Sequence, residues 1–149
     1  MIRVLFQNAA ALTLFLWAMK RCGAPEKILS SALLVALWTN LIARWLLGYQ
    51  THFATFDPMS MAIDGALLVT AVGLSLRSNR TWPLWFAALQ LLAVCAHILR
   101  PFDVNKVHAL SYVILSRMPT YAQLLVLLCA MTAFENRRRH GIQATDWEH

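Results

Sequence analysis

The chain has 149 residues, of which 59% are hydrophobic and 13% charged, and its net charge is +6. Soluble domains run at roughly 25% charged, and a chain this short has too little interior to hide so much apolar surface from water. The basic residues stand in pairs and triplets between apolar runs, so the positive charge marks membrane topology and excludes a folded nucleic-acid-binding face.

The pattern predicts an all-α integral membrane protein. It is a bundle of about five transmembrane helices with short loops, in a single domain from residue 1 to 140. The spans fall near 2–19, 28–48, 60–76, 82–99 and 108–134, and a polar tail follows at 141–149. A helix needs about 20 residues to cross the hydrocarbon layer. The second stretch meets that length cleanly, and the first, third and fourth reach it with flanking residues.

The first stretch, Val4 to Met19, ends on Lys20, Arg21 and Cys22 with no small-residue cleavage pattern, so it reads as a retained span. Gln7, Ala11 and Ala18 share one of its sides. In the second, Asn40 and Arg44 lie one turn apart, with Ala36 and Ala43 nearby. The third has two sides. Ala62, Ala66, Thr70 and Gly73 form a small-residue face suited to close helix packing. Asp64, Ala71 and Ser75 mark the other side, so this helix is expected to pack on both.

The fourth stretch carries the strongest pattern. At roughly 100° per residue, Phe86, Gln90, Ala93, His97 and Arg100 fall on one narrow face, and Leu84, Leu91 and Ile98 lie opposite. Polar groups are costly in lipid, so Gln90, His97 and Arg100 are expected to point into the bundle or at a partner. The last stretch holds Arg117 and Pro119. Proline lacks the backbone donor and clashes with the preceding turn, which predicts a kink at Pro119. Tyr112, Ser116, Thr120 and Gln123 share a face there.

Cytoplasmic loops are enriched in Lys and Arg. With the N-terminus outside, Lys20, Arg21, Lys27, Arg77, Arg80 and Arg137 to Arg139 gather on the inner side. Arg3, Arg44, Arg100 and Lys106 remain on the outer side, so N-out/C-in is expected. Trp17, Trp38, Trp45, Trp82 and Trp85 fall mostly near span ends, as interfacial anchors do. In this frame Asn40, Arg44, Asp64, Gln90, His97, Arg100 and Arg117 form an intramembrane polar cluster towards the outer side, above inner halves that are nearly plain hydrocarbon.

Chemistry is harder to read. Cys22, Cys95 and Cys129 are far apart, without CxxC or zinc spacing. No GxSxG or HExxH occurs, no second intramembrane carboxylate stands beside Asp64, and no catalytic residue is assigned. His97 is the one histidine well placed inside a span to ligate a cofactor, whose identity the pattern leaves unknown. A bis-histidine haem needs a second ligand from another helix, and His52 and His108 sit at loop edges. Those two with Asp57 and Asp103 could build only an irregular metal site at the outer surface.

The leading expectation is an accessory, structural or assembly subunit of a larger membrane complex. Its partners would be the lipid bilayer and other membrane subunits or further copies of itself. The alternatives are a small transporter or proton-conducting protein that uses the outer polar cluster, and a membrane enzyme or metal-binding protein with an outer-surface site. Short loops and an Arg-rich inner end fit a bacterial plasma membrane.

Overall fold

The structure is a computed structural model and describes residues 2–46, 58–99 and 109–140. Five helices follow one another: α1 (Ile2–Arg21), α2 (Ala24–Leu46), α3 (Pro58–Arg77), α4 (Trp82–Leu99) and α5 (Ala109–Arg139). There are no strands among the described residues. Three helical segments are long and apolar enough to cross a membrane: Ala24–Ala43, Pro58–Arg77 and Met118–Arg139. The apolar part of α4, Trp82–Ile98, is shorter. Those three segments point to a membrane location.

The helix ends follow local chemistry. The α1–α2 turn is only Cys22 and Gly23, closed by Cys22 N–H donating to the Ala18 carbonyl at 3.0 Å. α2 then starts before its apolar run, because Pro25 tolerates the first turn and Glu26 meets the positive end of the helix dipole there. Pro58 opens α3, and Pro83 sits in the first turn of α4. α5 outlasts the expected 108–134 stretch by more than a turn. Glu135 and Arg139, one turn apart, pair at 3.5 Å and suit a helical C-terminus. At 1.5 Å per residue its 31 residues run for about 46 Å, longer than the roughly 30 Å hydrocarbon layer.

Sequential helices pack side by side: α1 on α2, α2 on α3, α3 on α4 and α4 on α5, with α1 meeting α5 to close the ring. Each buries one stripe. In α1 it is Gln7, Ala11, Leu14 and Ala18, continued by Cys22 in the turn, and in α2 it is Glu26, Leu29, Leu33, Ala36 and Ala43. In α3 it is Leu67, Ala71 and Leu74, and in α5 it is Gln123, Leu127, Ala130 and Met131. α4 buries Phe86, Gln90, Ala93 and His97 and turns Leu84, Leu91 and Ile98 outward. These spacings of three and four are what a helix needs to keep one side facing its neighbours.

α3 packs on α2 and α4, and among the described residues its small-residue side stays uncovered. Ala62, Ala66 and Gly73 are exposed, and a Cβ added at Gly73 would meet nothing within 4 Å. The larger α3 residues Leu67 and Leu74 fill the bundle interior, and its small residues face away.

Candidate functional site

The polar residues gather at two levels, one at each end of the bundle. The first level joins α3, α4 and α5. Gln90 donates both amide hydrogens to Asp64, through Nε2 to Oδ1 and to the backbone carbonyl, each at 3.0 Å. Its own Oε1 accepts from Gln123 Nε2 at 2.6 Å. His97 Nε2 lies 3.0 Å from the second carboxylate oxygen, Oδ2. Both oxygens of Asp64 are thus engaged, and every polar atom of the Gln90 side chain has a partner.

Helix geometry explains the convergence. Gln90 and His97 are two turns apart on one face of α4, about 10 Å along the axis. Ala93 stands between them and is buried. Gln90 and Gln123 are almost wholly buried, at 2% and 1% exposed. Hydrogen bonds aligned head to tail across three helices polarise one another. Leaving any member unpaired in this setting costs about 1–3 kcal/mol.

Sequence-expected residues are brought together only in part. Asp64, Gln90 and His97 meet, and Gln123 joins them from a face of α5 that the sequence marks as polar. Asn40 is separate: its Oδ1 accepts from Ser60 Oγ at 3.1 Å, tying α2 to the start of α3. Arg44 and Arg117 belong to α2 and α5, with side chains outside the described set, and Arg100 lies outside the described residues. So do His52, Asp57, Asp103 and His108, the loop residues of the conceivable metal site. Among the described residues no three His, Cys, Asp or Glu side chains group to hold a metal. A cofactor ligated through Nε2 of His97 would have to displace the Asp64 contact.

The second level lies at the opposite end, where the inner halves were expected to be nearly plain hydrocarbon. Glu26 in the first turn of α2 is fully buried and pairs with Arg80 from the α3–α4 turn. The Arg80 guanidinium also lies 4.8 Å from the centre of the Phe134 ring of α5, a cation–π distance. Beside it, Arg21 at the end of α1 pairs with Glu135 of α5 at 3.3 Å. Among the described residues, buried Ser78 Oγ and Trp82 Nε1 make no hydrogen bond. Burial foremost, then the nearby carboxylates Glu26 and Glu135, push the Cys22 thiol from 9.0 up to about 11. It stays protonated at neutral pH and is a poor nucleophile.

Sequence reasoning places Arg80 among the inner-side basic residues and assigns Glu26 no role; the two lie 54 positions apart. The only available signal was a glutamate between Pro25 and Lys27, just ahead of the apolar run from Ile28. Comparison with known protein families, characterised proteins and solved structures found no match.

Proposed function

We propose that this chain is an accessory, structural or assembly subunit of a larger membrane protein complex, with all five helices crossing the bilayer. The observation that carries this reading is the outward side of α3. Ala62, Ala66 and Gly73 are exposed on the side opposite Leu67 and Leu74, flanked by Val69 and Leu76, which are 73% and 75% exposed. In lipid, association between helices is driven by close backbone approach over small residues. A helix of another membrane subunit fits this ridge.

Two further features support the reading. The described polar side chains inside the bundle mostly pair with each other, so the chain's stable feature is a scaffold. The basic residues near the ends of α1, α3 and α5 cluster at one end of the bundle, in keeping with N-out/C-in in a bacterial plasma membrane. Pro119 frees the Leu115 carbonyl inside α5, and we take the helix to bend there.

Purification in mild detergent through a tag on the C-terminal tail tests the proposal. The expected result is stoichiometric recovery of at least one other membrane protein, lost in Gly73→Leu while the chain itself remains folded. Recovery of this chain alone, as a stable monomer, would sink it.

One contact favours a second reading. The carboxylate of Asp64 against the imidazole of His97 is a pair that protons could use. Proton flux through liposomes containing the protein, abolished by Asp64→Asn, would carry that reading. Flux indistinguishable from empty liposomes would remove it.

A further inference from the structure

Between the start of α4 and the last turns of α5 lies a cleft of about 510 Å³. Its mouth is polar, formed by Asn79, Arg80 and Thr81 from the α3–α4 turn and by Arg137. The rest of its lining is apolar, formed by Trp85 near the start of α4 and by α5 residues from Leu125 to Ala133. From Leu125 to Arg137 the cleft follows α5 for about 18 Å, long enough for much of an acyl chain. No carboxylate among the described residues lines it.

We infer that this cleft binds a single anionic phospholipid, its phosphate at the Arg137 mouth and one acyl chain along α5. Four features of the site match that ligand. Arg137 is exposed on the rim. Arg80 lines the opposite wall with its side chain only 6% exposed and held by Glu26 and Phe134, so Arg137 supplies the exposed cation. α4 begins at the mouth, and the start of a helix presents backbone donors and a positive dipole end to an anion. Trp85, 68% exposed, stands where an indole anchors at the headgroup level. A headgroup without net charge would meet the same apolar wall but not the cationic rim. Basic pockets between helices are the places where anionic headgroups are held.

The inference is independent of the subunit reading, because it needs the membrane location but no protein partner. The test uses the full chain in detergent, titrated with phosphatidylglycerol or phosphatidylcholine of identical acyl chains and read by native mass spectrometry. One retained phosphatidylglycerol per chain is expected, with phosphatidylcholine held at least about fivefold less. Arg137→Gln should lower phosphatidylglycerol retention about fivefold. Arg138→Gln, one position along and outside the cleft lining, should leave it unchanged. Equal retention of the two lipids would overturn the inference. So would equal behaviour of the two arginine variants, or displacement of the lipid by millimolar inorganic phosphate. A second readout uses Cys129, exposed in the cleft wall, in a Cys95→Ser background. Phosphatidylglycerol should slow its alkylation several-fold more than phosphatidylcholine does, and an unchanged rate would also overturn the inference.

Discussion

The two polar levels of this bundle solve the same problem by different means. The Asp64 level places one carboxylate against Gln90 and His97, with Gln123 behind Gln90, and draws α3, α4 and α5 together by hydrogen bonds. The Glu26 level opposes full charges, a buried glutamate and a buried arginine, with an aromatic ring behind them. Individual hydrogen bonds between membrane helices are worth about 0.6 kcal/mol. Separating a buried ion pair by removing one partner costs about 3–5 kcal/mol. The Glu26 level is therefore the more brittle, although it involves fewer groups. It joins α2, the α3–α4 turn and α5, and α2 touches α5 less extensively than α4 touches α3 or α5.

That contrast can be broken most forcefully at Glu26. Glu26→Gln removes the Glu26–Arg80 ion pair and should destabilise the chain by about 3–5 kcal/mol, read as unfolding in mixed micelles. The double change Glu26→Leu with Arg80→Met should recover most of the loss, because two apolar side chains leave no buried charge. If the double variant is no more stable than Glu26→Gln, the pair is not the source of the brittleness. The other level should yield less. Asp64→Leu removes the shared acceptor and leaves donors of Gln90 and His97 without it, at a cost of about 1–3 kcal/mol. Asp64→Asn keeps an acceptor and should cost less than Asp64→Leu. Equal losses would mean that the carboxylate contributes through charge and not through hydrogen bonding.

The Cys22 thiol sharpens the comparison with pH. Its pKa is raised in the folded chain, so folding favours the protonated form. The stabilisation that follows is complete below about pH 9 and is lost as pH rises towards about 11. Wild type should lose stability over that window relative to Cys22→Ala, and parallel curves would show that burial at the Glu26 level is weaker than described. The smallest effect belongs to Arg21. Its side chain is 62% exposed, and its pairing with Glu135 should be worth no more than about 1 kcal/mol. Arg21→Gln should barely move the unfolding midpoint, and a loss matching that of Glu26→Gln would make the whole end one ionic network.

Sequence periodicity made one level readable and hid the other. Gln90 and His97 share a face of α4 by spacing alone, and Asp64 is the sole acidic residue in α3, so three members of that network were visible. Gln123 was visible as a polar position but not as a partner, because the phase of α5 relative to α4 is set by packing. Glu26 and Arg80 left no periodic trace. One lies in a first turn and the other in a loop, and charges at span ends look alike whether they face water or a partner. The small-residue ridge of α3 was legible as a ridge, but not as facing outward. That choice depends on Leu67 and Leu74 filling the interior better than Ala66 and Gly73 would.

The central claim is that the outward ridge of α3 meets a helix of another membrane protein. A photo-reactive residue placed at Gly73, irradiated in native membranes, tests it most directly. The same residue at Leu91, on the outward face of α4, serves as the reference position. The account predicts a discrete protein adduct from position 73 and only lipid adducts from position 91. Lipid adducts alone from both positions would contradict it.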